Sequence, residues 1–111
     1  MEILRVKELI DEKCTGYDDG KRLFTLIDSL LAKGPSVKID MNGVTFTSSS
    51  FYNAAVGELV LKYGVLFLKE KLKFDNLSNK DKFLLSKSIS LAKKVKEESI
   101  SDFSKTTPAA I

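Results

Sequence analysis

The sequence has no histidine and a single cysteine, Cys14. Histidine is the commonest general base and the commonest transition-metal ligand, so its absence argues against the usual acid–base and metal chemistries. One cysteine cannot form an internal disulfide, and without histidine it cannot complete a zinc site. We therefore expect no catalytic, cofactor or metal site, a reducing compartment, and a small buried role for Cys14.

Long apolar segments are also lacking. No run of 18 apolar residues occurs, so no transmembrane helix is predicted. The N-terminal stretch MEILRVKEL contains an early acid and no long apolar core, which is not typical of a signal peptide. These features predict a cytoplasmic protein with no membrane partner.

Arginine is scarce, occurring at Arg5 and Arg22, and the 18 basic residues are interleaved with 15 acids for a net charge of +3. Nucleic-acid binders concentrate basic residues on one face, and arginine is the better bidentate phosphate ligand. Nucleic-acid binding is therefore not indicated. Lysines between Lys69 and Lys96 still form a loose basic region, interpreted as a solvated face, with an acidic partner or nucleic acid as the alternatives.

What is present fits one globular domain. The chain has 111 residues, of which 43% are apolar and 30% are charged, and this is enough to support a core. We assign residues 1–98 to the domain. Residues 99–111 are rich in Ser, Thr and Pro and are predicted to form a flexible C-terminal tail.

Candidate strands alternate with helices along the chain. Apolar alternation predicts strands at Glu2–Val6, Val37–Met41 and Leu72–Phe74, with shorter extended segments near residues 12–17 and 44–46. This order predicts an α/β fold, with a small mixed β-sheet of four to five strands and three to four helices packed mainly on one face. The other sheet face would then need a partner, a self-interface or polar cover.

Three helices have readable boundaries. The first is predicted to start at an Asp18 or Asp19 N-cap and to end before Gly34, with a core stripe of Leu23, Phe24, Ile27, Leu30 and Leu31. The second starts at Ser48–Ser50 and ends at Gly64, and its predicted inward face is Tyr52 or Phe51 with Ala55, Val56, Leu59, Val60 and Tyr63. The last begins at a sequence resembling a capping box, Ser78–Asp81, and its predicted core side is Leu84, Leu85, Ile89, Ala92 and Val95.

The segment VKIDMNGVTFTSSSFYNAAVG, residues 37–57, carries the candidate functional residues. Its strand ends near Asp40, the chain turns, and three serines begin a helix. A phosphate on one of these hydroxyls would meet free N–H groups and the helix dipole. The alternative is that the serines only cap the helix. Asp40 with Asp75 could serve acid–base or Mg²⁺ chemistry or merely cap turns, and Asn53 could contact a partner or orient Asp40.

The run DMNGVTFTSSS, residues 40–50, resembles the signature of STAS domains, the fold of anti-sigma-factor antagonists. It is more similar still to a STAS-like family of unknown function, in which the serines are followed by Phe, Asn and small residues, as in SFYNAAVG at 50–57. The resemblance extends to GYDDG at 16–20 and LKFDNLS at 72–78, and it covers roughly residues 3–97 in element order.

The resemblance implies a bacterial-type regulatory protein. Antagonist STAS domains bind an ATP-using serine kinase that is also an anti-sigma factor, and phosphorylation of the serine at the helix start weakens binding. Ser49 corresponds to that serine, and Asp40 matches the acid at the strand end. Two positions depart from the signature, since Ser48 replaces an Asp and Phe51 replaces a Gly.

The first hypothesis is a non-catalytic protein-interaction module. Ser49 is its phosphorylation candidate, and its partner-binding residues are Asp40, Ser48, Ser50, Phe51 and Asn53. The partner would be a protein such as an ATP-binding serine kinase or anti-sigma-like protein, and a homodimer is compatible with an uncovered sheet face. The alternative is a small-molecule or nucleotide-sensing domain, or an enzyme subunit, with a polar pocket around Asp40, Ser49 and Asn53. A basic nucleic-acid adaptor is a third hypothesis, which the mixed charges disfavour.

Overall fold

A computed structural model describes the backbone of residues 1–110 and the side chains of residues 1–96. The elements follow in the order β1 (Glu2–Arg5), α1 (Val6–Leu9), β2 (Lys13–Cys14), α2 (Tyr17–Ala32), β3 (Val37–Asp40), β4 (Phe46–Thr47), α3 (Ser49–Tyr63), α4 (Val65–Lys71), β5 (Leu72–Asp75) and α5 (Asn79–Ala110). The tail predicted at residues 99–111 lies outside the described side chains, and its flexibility stays a prediction.

The strands form two separate parallel groups. One sheet has the order β1-β3-β5, and β2 pairs with β4 in a two-stranded sheet. All three strand pairings are parallel because helical crossovers return the chain to the same end of the sheet. The α/β class is confirmed. The prediction of a single mixed sheet of four to five strands is not confirmed. The five strands form one sheet of three and one of two, and no antiparallel pairing occurs among the described residues.

The register of the three-stranded sheet separates an apolar face from a charged face. Leu4, Ile39 and Phe74 are aligned across the sheet and belong to the core or pack against it. The neighbouring row is Arg5, Asp40 and Asp75, and residues in adjacent rows point to opposite faces. On the charged face Lys38 Nζ lies 2.8 Å from the Asp75 carboxylate. This face thus carries charged side chains of its own together with the exposed Ile3, and which of the three predicted options covers it stays a prediction.

Helix α2 has the predicted apolar stripe but a different start. Leu23, Ile27 and Leu31 are buried. The N-cap is Gly16, with no side-chain cap, so the prediction of an Asp18 or Asp19 N-cap is wrong. Both acids lie inside the first turn, where negative charge interacts favourably with the helix dipole.

Helix α3 is the central core helix. Small residues allow it to approach α2 closely, since a Cβ added at Gly20 would lie 2.3 Å from the Phe51 carbonyl oxygen. Residues Asn53–Gly57 form a wider π-type turn within the helix. Gly64, with φ of +86°, ends it and allows the sharp change of direction into α4.

Among the described residues no single helix is long and apolar enough to cross a membrane. Helices α3 and α4 would pass that test only when taken together, and they are bent by 111° at Gly64.

Candidate functional site

The three serines at the start of α3 have different roles. Ser48 is the N-cap, and its Oγ accepts a hydrogen bond from the Phe51 backbone N–H at 3.2 Å. The same hydroxyl donates to the Thr15 carbonyl oxygen at 2.6 Å, which ties the end of β2 to α3. The capping interpretation is therefore confirmed for Ser48, whose hydroxyl is already used within the fold.

Ser49 and Ser50 are exposed, and neither side chain forms a hydrogen bond with a described residue. Ser49 lines a hollow of about 280 Å³ together with Asn53 from α3 and Phe83, Lys87 and Leu91 from α5. Its hydroxyl is thus the accessible one that faces a concave surface. A phosphate at this position would lie at a helix N-terminus and in the same hollow as the Lys87 ammonium.

Asn53 connects α3 to α5. The Ser88 hydroxyl donates a hydrogen bond to Asn53 Oδ1 at 2.7 Å. Ser88 is only 3% exposed, whereas Asn53 is exposed. The carboxamide therefore satisfies a buried hydroxyl with its oxygen and keeps its N–H₂ group on the surface. The predicted link from Asn53 to Asp40 is replaced by this link to Ser88.

A continuous groove runs between the two helices. The hollow at Ser49 adjoins a second one of about 200 Å³, and the two share Asn53, Ser88 and Leu91. We call this surface the α3–α5 groove, defined by Ser49, Asn53, Gly57, Glu58 and Leu61 on α3 and by Phe83, Leu84, Lys87, Ser88, Leu91, Ala92 and Val95 on α5.

Sequence reasoning missed part of this groove. Phe83 and Leu91 lie outside the predicted core stripe of α5 and are 63% and 52% exposed. Val95 was predicted to be in the core but is 44% exposed, so that prediction is wrong. The available signal was the presence of large apolar residues on α5 beyond those that the core needs.

Phe51 is in the core. Its side chain is fully buried and packs edge to face on Tyr52, with ring centroids 5.1 Å apart. The prediction that Phe51 contacts a partner is therefore wrong, because burying a large apolar ring in the core is more favourable than exposing it to water. It replaces the glycine of the STAS signature as a core residue.

Asp40 lies at a different place from the serines. It ends β3, and its Oδ1 accepts hydrogen bonds from the Asn76 side-chain amide at 2.8 Å and the Asn42 N–H at 2.9 Å. These bonds, the Asn76 bond most of all, lower the pKa of Asp40. Its hollow is lined by Arg5, Lys7 and Glu8 rather than by Ser49 or Asn53. The prediction of a polar pocket formed by Asp40, Ser49 and Asn53 is therefore wrong. The end of β3 and the start of α3 are close in sequence, but they lie at different surfaces of the fold.

The interior beneath the serines is poorly suited to nucleophilic chemistry. Cys14 is fully buried, as predicted, and burial raises the pKa of its thiol to about 11, with the charges of Asp19 and Asp11 adding to the shift. Burial likewise raises the pKa of Tyr52. Asp81 is buried and accepts a hydrogen bond from the Thr47 hydroxyl. No group of three or more potential metal ligands occurs among the described residues.

Comparison with known proteins gives one family. Residues 19–82, from the first turn of α2 to the first turn of α5, match the family described as a STAS-like domain of unknown function (DUF4325). No curated protein and no solved structure matches the sequence.

Proposed function

Because the chain belongs to the family of STAS-like domains of unknown function, we propose that it is a non-catalytic regulatory module that docks a partner protein at the start of α3. The observation that supports the proposal is that the three serines differ in hydrogen bonding and exposure. Ser48 is held by two hydrogen bonds, while Ser49 is exposed beside a concave surface. A protein partner could contact Ser49, Ser50 and Asn53 without disturbing the cap.

Phosphorylation of Ser49 would regulate this docking. In that reaction the Ser49 Oγ bonds to the γ-phosphorus of ATP, its proton passes to a base of the kinase, and ADP leaves. The product adds about −1.5 to −2 charges at pH 7 to the hollow at Ser49, whose charged lining residue is Lys87. By analogy with antagonist STAS domains, the kinase and the docking partner would be one ATP-binding, anti-sigma-like protein.

The docking proposal is tested by co-purification from the native cells. We expect the wild-type protein to retain a specific partner, and the Asn53→Ala and Ser49→Glu variants to lose most of it. Lys73→Ala, on the charged sheet face, is the matched control and should retain the partner. A partner that both groove variants and the control retain equally would show that another surface is used.

The phosphorylation step has its own readout. Incubation of the recovered partner with ATP should add one phosphate to the intact protein, detected by mass spectrometry. Ser49→Ala should abolish this addition and Ser50→Ala should not. Labelling that persists in Ser49→Ala would exclude Ser49 as the regulated hydroxyl.

A second candidate is small-molecule sensing, which a separate cavity favours. This cavity of about 180 Å³ lies between α3, α4, β5 and α5, with an apolar lining that includes Val56, Leu68, Phe74 and Ile89, and with Lys69 as its charged lining residue. Such a site suits an apolar molecule with a carboxylate. A panel of small carboxylates and nucleotides should raise the melting temperature if this function holds, and Lys69→Ala should reduce the shift.

A further inference from the structure

The α3–α5 groove combines exposed apolar side chains with a cation of its lining, Lys87, and Lys80 lies about one turn beyond the lining on α5. Phe83, Leu91 and Leu61 are large apolar residues that remain exposed along it. Adjacent exposed apolar residues of this kind mark interaction sites more often than isolated ones do. The groove therefore offers an apolar strip that a partner could cover.

The α5 side of this strip is basic. The described part of α5, residues 79–96, contains six lysines and one acid, Asp81. Asp81 is buried and bonded to Thr47, so its carboxylate does not lie on the surface of the helix beside the lysines. Lys80 and Lys87 are exposed and lie seven residues apart, which places them on one side of the helix. Their ammonium groups lie over the rings of Phe46 and Phe83, at 4.8 and 5.8 Å from the ring centroids.

We propose that the occupant of the α3–α5 groove is an acidic amphipathic helix of a partner protein. Its apolar side would cover Phe83, Leu91 and Leu61, and its carboxylates would pair with Lys80 and Lys87. This inference rests on the proposed docking function and adds the chemistry of the partner. The exposed N–H₂ group of Asn53, whose oxygen is held by Ser88, would donate to a carboxylate or carbonyl in the middle of the groove.

The length of the groove sets the length of the partner segment. Its lining extends from Ser49 to Leu61 on α3 and from Phe83 to Val95 on α5. Twelve residues of helix span about 18 Å, so about three turns of a partner helix would fill the groove and a fourth turn would reach Lys80. The basic segment ends at the same place, because Glu97 and Glu98 follow Lys96 in the sequence.

Charge decides against the other occupants. A second copy of this chain would bring the same lysines to face Lys80 and Lys87, which is unfavourable. Nucleic acid would pair with the lysines but would leave the apolar strip uncovered. Glu58 lines the end of the groove at Leu61 and Val95, so an acidic helix would place its carboxylates at the other end, near Lys87. An acidic amphipathic helix satisfies both the apolar and the basic parts. Phosphorylation of Ser49 would then weaken docking by placing negative charge against the partner's carboxylates and next to Lys87.

The test uses the full chain and a synthetic amphipathic peptide of about four turns, long enough to span the groove, with leucine on one side and glutamate on the other. A second peptide has lysine in place of every glutamate. Fluorescence anisotropy should show binding of the glutamate peptide only, weakening as salt is added. The Lys80→Glu, Lys87→Glu double variant should bind about tenfold more weakly or worse.

Matched controls separate groove binding from general charge attraction. Lys33→Glu with Lys73→Glu makes the same change in net charge away from the groove and should bind nearly as the wild type does. Leu91→Ala removes apolar contact without changing charge and should also weaken binding. In NMR spectra the glutamate peptide should shift the side-chain amide of Asn53 but not that of Asn76. This readout needs no substitution and stands if a variant fails to fold.

Equal binding of the two peptides, equal weakening in the two double variants, or no binding at all would overturn the proposed partner chemistry. Failure of this kind is distinguishable from failure of the docking function. If native partners are still lost in Asn53→Ala while the peptide neither binds nor competes with them, the docking site stands and the acidic helix is excluded. If native partners are unaffected by Asn53→Ala, the docking function itself fails.

Discussion

The buried hydroxyl of Ser88 on α5 donates a hydrogen bond to Oδ1 of the exposed Asn53 on α3, at 2.7 Å. This contact joins two helices across the floor of the groove. Asn53 also begins the wide π-type turn of α3, and such turns occur frequently at functional sites. One side chain therefore contributes both to the stability of the fold and to the surface offered to a partner.

The Asn53–Ser88 pair should show asymmetric energetics. Asn53→Ala leaves the buried Ser88 hydroxyl without its acceptor and should lower the free energy of unfolding by about 1–2 kcal/mol. Ser88→Ala should cost less, since the exposed Asn53 amide can bond to water. In urea denaturation the double variant should be no less stable than Asn53→Ala alone. Additive losses would show that the two groups do not act as a pair.

Substitutions of Ser48 and Ser50 should differ in their effect on the free energy of unfolding, because only Ser48 forms side-chain hydrogen bonds with described residues. Ser48→Ala removes the N-cap of α3 and the bond to Thr15, and it should reduce the free energy of unfolding by about 1–2 kcal/mol. Ser50→Ala, at an exposed position without a side-chain bond, should change it by less than about 0.5 kcal/mol. Chemical denaturation of both variants gives the comparison. A Ser50→Ala loss as large as that of Ser48→Ala would contradict the assignment of the cap.

The close approach of α2 and α3 at Gly20 should tolerate no side chain. An alanine Cβ there would lie 2.3 Å from the Phe51 carbonyl oxygen and 2.8 Å from Ala54 Cβ. Both atoms belong to a packed helix, so Gly20→Ala should destabilise the fold by about 1–3 kcal/mol or more. Gly57→Ala, inside α3, is the control, since an added Cβ there would contact Ala92 Cβ at an ordinary 3.9 Å. Similar melting temperatures for the two variants would disprove the tight contact.

The link from α2 to the end of α3 should depend on pH. The Tyr63 hydroxyl and the Lys62 ammonium both bond to the Asp28 carboxylate, and they lower the pKa of Asp28 below its ordinary 3.8, the Tyr63 bond most. A carboxyl with a lowered folded-state pKa stabilises the protein above its unfolded pKa. That contribution is lost as pH falls through the folded-state value.

Tyr63→Phe tests this link and keeps the stacking on Phe67, whose ring centroid lies 4.9 Å away. We expect a loss of about 1 kcal/mol near neutral pH, from the missing hydrogen bond. The difference from the wild type should begin to shrink as pH falls below 3.8 and should be lost as pH falls through the lower folded-state pKa of Asp28. Thermal unfolding across the acidic range measures it. A difference that stays constant through this range would mean that Asp28 is not the partner that matters.

Local patterns in the sequence predicted the elements well. The stripe of α2, the strand ending at Asp40 and the serine-capped start of α3 were predicted because each depends on residues within a few positions. The family was also readable from the sequence, since its signature is a contiguous run around the serines. Capping of α5 by Ser78 was anticipated too, and Ser78 Oγ accepts from the Asp81 N–H at 3.1 Å.

Contacts between distant segments decided the rest. The second half of the predicted capping box failed because the Asp81 side chain bonds to Thr47, 34 residues away, rather than reaching back to the start of its own helix. The grouping of the strands and the separation of Asp40 from Ser49 are also outcomes of how the helices and strands pack together. Periodicity cannot encode them, because it reports which face of an element is apolar and not which element covers it.

The amino-acid sequence by itself therefore determined the order and type of the elements, the family, and the presence of hydroxyls at the start of α3. Only the tertiary structure decided which hydroxyl is free, and it alone formed the α3–α5 groove from residues that lie more than 20 positions apart in the chain. The physical reason is that capping and turn preferences act over one helical turn. The groove, in contrast, depends on how two helices are positioned relative to each other. Each helix is placed by its buried side, and the groove forms because their neighbouring exposed sides are not covered by another described element.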